Sequence, residues 1–190
     1  MNANELNKIL KSTGALLKGH FRLSSGKHSN QYVQCALLLQ WPELCTKVAK
    51  EIKKVFKSSK IDLVIGPALG GVTLAYEVAK QFKVRAIWTE RKNKRMVLSR
   101  GFDIKKGERV LVVEDVITTG GSVKEVIKLM EERGAVVVGV ASIINRSDNK
   151  TIAGYPYKWL LKMNLKSFDK KECPQCKLGL PSEIPGSRKR

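Results

Sequence analysis

The sequence has no apolar run approaching the ~18 residues that span a bilayer, and it has no internal repeat or low-complexity linker. Its first eighteen residues hold no apolar stretch closing on a small-residue cleavage site, so no signal peptide is read there. Four cysteines in 190 residues are too few for a disulfide framework. Together these absences set the expectation of a cytoplasmic protein in a reducing compartment. A Walker loop, GxxxxGK followed by Ser or Thr, does not occur, and neither does the dinucleotide fingerprint GxGxxG. A helix-turn-helix extension and an RNP-like aromatic motif are missing too.

Acidic residues are scarce. Asp and Glu number 17 against 36 Lys and Arg, which leaves a net charge of +19. Such a balance suits an anionic partner: nucleic acid, a membrane surface or a phosphorylated small molecule. The distribution is uneven. Residues 85–109 carry +6 and residues 151–190 another +6, whereas residues 110–150 net −1. An acidic pair kept inside a basic protein is a candidate for a task.

What is present is a chain that is 43% hydrophobic, enough for a real core in one domain with a small appended subdomain. Residues 4–18 and 42–57 show helical spacing, and 71–82 and 122–133 read as further helices. Runs at 61–65, 84–89, 96–98, 110–113 and 136–144 read as strands, and 21–36 as extended chain broken by Ser24-Ser25-Gly26. The alternation predicts a largely parallel sheet with helices on both sides. Ligands in such sheets bind at the carboxyl ends of the strands. The last forty residues differ, with Tyr155-Pro156-Tyr157, Trp159, a Cys-x-x-Cys and a Pro/Gly/Arg-rich end.

The richest segment is Val110-Leu111-Val112-Val113-Glu114-Asp115-Val116-Ile117-Thr118-Thr119-Gly120-Gly121-Ser122. A buried strand runs into two carboxylates, then two threonines and two glycines, then a helix. Ser122 and Glu125 have the spacing of a capping box. Free amides at a helix start favour an anion. Glycines let the backbone approach a phosphate, and threonine hydroxyls donate to its oxygens. Glu114 and Asp115 are too close to a phosphate to be its ligands. They suit the hydroxyls of an attached sugar, or a cation nearby. Sugar plus phosphate reads as a ribose 5-phosphate group.

This thirteen-residue segment resembles the phosphoribosyl-pyrophosphate signature of the type I phosphoribosyltransferases. Flanking segments narrow the likeness to the orotate phosphoribosyltransferase family. Phe21-Arg22-Leu23-Ser24-Ser25-Gly26-Lys27-His28-Ser29 is similar to its substrate segment, and Gly66-Pro67-Ala68-Leu69-Gly70-Gly71-Val72 to its pyrophosphate turn. Arg100-Gly101-Phe102 and Ile144-Asn145-Arg146-Ser147 match as well, and Cys173-Pro174-Gln175-Cys176 with Pro185-Gly186-Ser187-Arg188 resembles the tail of one bacterial branch. The likeness spans nearly the whole chain.

The resemblance implies an α/β type I phosphoribosyltransferase fold: a mainly parallel sheet flanked by helices, with a small hood formed by N- and C-terminal segments. Residues 1–40 and 151–190 would form the hood and 41–150 the core. It implies transfer of a 5-phosphoribosyl group from phosphoribosyl pyrophosphate to orotate, in UMP biosynthesis, with Mg2+ as cofactor and no direct protein ligands to a metal. Glu114, Asp115 and Lys92 would be catalytic. Arg91, Lys92, Arg95 and residues Glu114, Asp115, Val116, Ile117, Thr118, Thr119, Gly120, Gly121 and Ser122 would bind phosphoribosyl pyrophosphate. Thr118, Arg146, Ser25 and Lys27 would bind orotate. The basic loop 91–100 would close over the partner's site in a homodimer, and Leu37-Leu38-Leu39 with Trp41 could face that partner. Two departures stand out: Gly70 occupies a position that is lysine in many members, and the loop lacks their histidine. The alternatives are a phosphoribosyltransferase for another base and a non-catalytic nucleic-acid-binding regulator of the same fold.

Two features remain outside this picture. His28 is read as a surface or packing histidine. The Cys-x-x-Cys is read as a local turn, because zinc needs four ligands and neither Cys35 nor Cys45 has paired spacing. A site shared between two subunits is the other option.

Overall fold

A computed structural model describes residues 1–23 and 25–185. Ser24, and Gly186 to Arg188 of the tail likeness, lie outside the described residues. Helix α1, Ala3–Ser12, starts at Asn2, whose side chain accepts the Glu5 amide. It ends before Gly14, whose φ of +69° no continuing helix allows. The helix expected over 4–18 is therefore shorter, and Leu16 and Leu17 begin a strand. That strand, β1 (Leu16–Arg22), pairs antiparallel with β2 (His28–Val33) in a separate two-stranded sheet.

Two helices follow, α2 (Ala36–Leu39) and α3 (Pro42–Val55). The core then alternates: β3 (Leu63–Pro67), α4 (Gly70–Phe82), β4 (Arg85–Lys92), β5 (Arg95–Leu98), β6 (Arg109–Ile117), α5 (Gly121–Glu132), β7 (Val136–Asn145), β8 (Thr151–Ile152) and β9 (Tyr155–Lys162). A short helix, α6 (Pro174–Lys177), lies in the tail. The main sheet has the order β5-β4-β3-β6-β7-β9-β8. The neighbours from β4 through β9 run parallel, and only the edge strands β5 and β8 are antiparallel. The expected α/β class and parallel sheet are observed. The boundary placed at residue 150 is not a break, because β8 and β9 complete the sheet beyond it. Among the described residues no helix is long and apolar enough to cross a membrane.

Strand alternation divides the core into two layers. Val64, Leu111, Val113 and Ile143 pack with α1, α3 and α4 on one face, while Leu63, Ile65, Val110 and Val112 pack with α5 on the other. Burial on both faces explains the near-continuous β-branched runs. The layers leave the carboxyl ends of β3, β6 and β7 at one rim.

At that rim β3 turns tightly into α4. A Cβ built on Gly66 would lie 2.5 Å from the Gly71 carbonyl oxygen, a backbone atom that cannot swing aside. Gly66→Ala should therefore overpack the turn at a cost of about 1–3 kcal/mol, which for a domain of this size lowers Tm by roughly 2–12 °C. Calorimetry checks it, and an unchanged Tm would mean the turn is looser than described.

Candidate active site

The signature strand is longer than expected: β6 continues through the acidic pair to Ile117. The Asp115 carboxylate accepts the Val116 amide at 2.8 Å, and the Glu114 carboxylate accepts the Asp115 amide at 3.2 Å. Burial pushes the Glu114 carboxyl well above its ordinary range, and the adjacent Asp115 charge adds to this. The same pair raises the thiol of buried Cys35 beneath it, where burial is again the larger cause.

Thr118 and Thr119 follow, both exposed, then Gly120 at φ +75°, the residue that turns the chain into α5. The Gly120 carbonyl accepts the Lys124 amide at 2.9 Å, while no side chain caps the helix. The expected capping box does not form. Helix α5 begins one residue early, at Gly121, and Glu125 instead receives Arg91 through two hydrogen bonds of 2.8 and 3.1 Å. The first amides of α5 thus keep no side-chain partner of the helix's own, which leaves an anion cradle at Thr118–Ser122.

Asp115 and the threonines open onto a cleft of about 1210 Å³ between the main sheet and the β1–β2 hairpin, while Glu114, expected beside them, lines neither this cleft nor its neighbour. Asp115, Val116, Thr118 and Thr119 form its floor; Arg22, Ser25, Tyr32, Arg146 and Lys170 stand around it. Arg146 leaves the end of β7, with its amide donating to the Ile117 carbonyl at 2.8 Å. Its Nε is buried without a hydrogen-bond partner, and burial lowers the pKa of its guanidinium. An orphaned buried donor on a cation is costly unless an anion meets it. A smaller cleft of about 420 Å³ adjoins the first and shares Tyr32, Gln34 and Asp115 with it. It is walled by Leu69, Gly70 and Thr73 of the β3–α4 turn. A Cβ on Gly70 would sit 2.7 Å from Asp115 Oδ1, so this departure from the family's lysine lets the turn rest against the carboxylate.

Other expectations are redistributed. Lys27 does not line the cleft; its Nζ lies 3.8 Å from Asp169 Oδ2 at the surface. Arg22 and Lys170 line it and were not singled out, although Arg22 sits inside the substrate-like segment. Residues 91–100 do not form a long loop. β4 and β5 are joined by Asn93 and Lys94, at φ +47° and +64°, a two-residue hairpin turn. Arg91 is held by Glu125 and the Lys94 carbonyl, so it is not free to meet a ligand in this arrangement. Lys92 and Arg95 are exposed and lie outside both clefts.

Comparison with known proteins follows the same lines. A family model for the phosphoribosyl transferase domain matches residues 36–169. An orotate phosphoribosyltransferase of Caldanaerobacter subterraneus subsp. tengcongensis is 51% identical over 189 residues, covering 100% of each chain. The chain belongs to the orotate phosphoribosyltransferase family. The Thermotoga maritima orotate phosphoribosyltransferase is 54% identical over 183 residues, 96% of this chain and 98% of its own. Among solved structures, the Aeropyrum pernix orotate phosphoribosyltransferase superimposes with a TM-score of 0.72 at 26% identity, covering 92% of this chain and 98% of that one. An adenine phosphoribosyltransferase of Rhodothermus marinus gives 0.66 at 22% identity over 85% of this chain and 100% of its own. The fold is thus shared with proteins named for adenine as well as orotate, and within it the orotate phosphoribosyltransferase family is marked by full-length sequence likeness.

Proposed function

We propose that the protein is a pentosyltransferase that moves the 5-phosphoribosyl group of phosphoribosyl pyrophosphate to N1 of orotate. Orotidine 5′-phosphate and pyrophosphate are the products, in the cytoplasmic synthesis of UMP. The observation that carries the substrate choice is Arg146, a half-buried cation whose buried Nε has no hydrogen-bond partner among the described residues, lining a cleft large enough for two substrates. A guanidinium meets a planar carboxylate in two-point contact, and orotate is the carboxylated base.

The roles follow from position. The amides and hydroxyls of Thr118–Ser122 hold the 5-phosphate. Asp115, with Glu114 beside it, accepts the ribose hydroxyls, and the Asp115 charge faces the ribose as its bond to pyrophosphate breaks and cationic character grows. Thr118, Ser25 and Arg146 orient orotate on the opposite wall, with Arg22 and Lys170 adding positive charge. The smaller cleft beside Gly70 suits the departing pyrophosphate. Mg2+ would be held by substrate phosphates and water, with the Asp115 carboxylate beside it to receive hydrogen bonds from its bound water. A bound Mg2+ supplies charge neutralisation on pyrophosphate. Holding both reactants in register supplies much of the rate.

Lys92 and Arg95 are exposed and line neither of the chain's own clefts, which supports action on a partner's site. Exposed Trp41, Leu69 and Tyr76 support a homodimer: Leu69 and Tyr76 stand seven residues apart on either end of α4's first two turns, and Gln40, beside Trp41, shares the smaller cleft with Leu69. Leu38 and Leu39 are buried inside the chain and do not face a partner. Lys92→Ala alone should lose most activity. Mixed with an Asp115→Asn chain, it should recover about a quarter of wild-type activity, because half of the random dimers then hold one intact site. Absence of recovery would place Lys92 in its own chain's site, and a fully active Lys92→Ala chain would place it outside the reaction.

The deciding assay combines protein, phosphoribosyl pyrophosphate, Mg2+ and orotate, follows orotate absorbance, and runs adenine, xanthine and uracil in parallel for pyrophosphate release. Turnover with orotate alone is expected. Turnover with another base would overturn the use of Arg146, and silence with every base would favour the nucleic-acid-binding regulator.

A further inference from the structure

The Cys-x-x-Cys does not stand alone in the fold. β1 brings His20 and β2 brings His28 to the turn holding Cys173 and Cys176. The four side-chain donor atoms, two imidazole nitrogens and two sulfurs, all lie within 4.8 Å of one another. His20, His28 and Cys173 are buried, at 7%, 4% and 0% exposure. Two residues read separately from sequence, a packing histidine and a local turn, are parts of one cluster.

The distances match a metal cage. Cys173 Sγ and Cys176 Sγ each lie 3.5 Å from His20 Nε2, and Cys176 Sγ lies 3.3 Å from His28 Nδ1. Zinc bonds of about 2.0–2.1 Å to nitrogen and about 2.3 Å to sulfur, at tetrahedral angles, give N···S edges of about 3.5 Å. The one tight edge is His20 Nε2 to His28 Nδ1 at 2.6 Å. It needs to open to roughly 3.3 Å for a tetrahedral ion, a small ring rotation. Hydrogen bonding joins atoms in pairs, whereas here four donor atoms converge on one point.

The surroundings support the same reading. His20 Nδ1 sits 2.9 Å from the Leu180 carbonyl oxygen, an acceptor only, so Nδ1 carries the proton and Nε2 presents its lone pair to the cluster. A ligating histidine is held in this way, by an outer partner on its other nitrogen. The sulfur knuckle is itself anchored: the Lys177 amide donates to the Cys173 carbonyl at 3.1 Å, and Gln175 Nε2 donates to the Gly19 carbonyl at 3.1 Å. Two sulfurs and two imidazoles in a near-tetrahedral set select zinc over the hard, oxygen-seeking Mg2+.

We infer that His20, His28, Cys173 and Cys176 form a structural zinc site that clamps the C-terminal tail onto the β1–β2 hairpin. The site is closed: four protein ligands leave no position for water or substrate, so its task is architectural. Its position gives it a functional consequence. His28 itself lines the substrate cleft, Arg22 follows His20 by two residues, and Lys170 precedes Cys173 by three. The clamp would fix the cationic wall on which the orotate side of the cleft depends.

The test uses the full chain, dialysed with excess Zn2+ and then desalted. Metal analysis should find about one zinc per chain, and the Cys173→Ser/Cys176→Ser double variant should retain under a tenth of it. Cobalt in place of zinc should give the intense visible bands and thiolate charge-transfer absorption of a tetrahedral sulfur-nitrogen site, lost in the same variant. Cys45→Ala, a buried cysteine outside the cluster, should keep both signals. A wild-type chain that binds neither metal would overturn the site, as would a Cys173–Cys176 disulfide found by mass. Full zinc retained without the two cysteines would do so too. Because a cysteine variant could lose its tail structure, chelation of the wild-type chain gives a second reading. It should lower Tm and raise the KM for orotate severalfold more than that for phosphoribosyl pyrophosphate. The KM arm rests on the proposed function; the stoichiometry and the cobalt spectrum do not, so the two readings fail separately.

Discussion

Asp115→Asn should cut kcat by about 100-fold or more while leaving Tm within a few degrees. Removing one preorganised electrostatic contact at a centre where charge develops costs roughly 100- to 1000-fold, and Asn keeps the size and the acceptor oxygen. The retained acceptor matters locally, since Asp115 receives the Val116 amide that helps hold the strand end. Asn also removes half of an acidic pair, so the Glu114 carboxyl, now raised by burial and by Asp115, should titrate closer to its ordinary range. Stopped assays with saturating substrates measure the rate, and calorimetry reports the fold. Near-normal turnover would remove Asp115 from ribose binding and leave the threonines and amides as a phosphate site only.

Arg146→Ala is expected to act on the other substrate. A hydrogen-bonded charge pair contributes about 1.5–3 kcal/mol, so the KM for orotate should rise roughly 10- to 150-fold. The KM for phosphoribosyl pyrophosphate should move much less, because the phosphate cradle lies on a different strand end. The fold should not suffer, since the Nε lost has no partner to leave behind. Equal changes in both constants would mean that Arg146 shapes the cleft without meeting the base. Arg146→Lys sharpens the test: it restores charge without the planar fork, and should recover only part of the loss.

Much of this site was legible beforehand because its residues are contiguous. Thirteen residues in one strand, loop and helix start are assigned the phosphate and ribose contacts under the proposed function, and local chemistry gives the reason for each. Gly66 and Gly70 were visible as a turn, but the reason for Gly70 required knowing that Asp115 lies against it. What spacing could not show was assembly over distance. Glu125 sits three residues after Ser122, a pattern that fits a cap, yet Arg91 from another strand takes its carboxylate. Lys27 looked like a ligand because of its neighbours, and Asp169 draws it outward. The Cys-x-x-Cys lacked two ligands in sequence, and the histidines proposed for it came from 145 to 156 residues away, across the β1–β2 hairpin. Leu16 and Leu17 continued a helical stripe that Gly14 interrupts. In each case a tertiary partner or one backbone angle outweighed local pattern.

The hairpin at the start of the chain is completed from its far end. His28 exchanges both backbone hydrogen bonds with Phe168, Ser29 donates to the Lys166 carbonyl, and the Arg22 amide donates to the Glu183 carbonyl. During synthesis the chain emerges amino end first. The signature strand, its glycine turn and helix α5 are all available by residue 132, so the phosphate half can take shape on the ribosome. The wall assigned to orotate is complete only once residues 166–183 have been made. Under the proposed function, a chain clipped within residues 166–183 should keep the phosphate cradle and lose the wall assigned to the acceptor base.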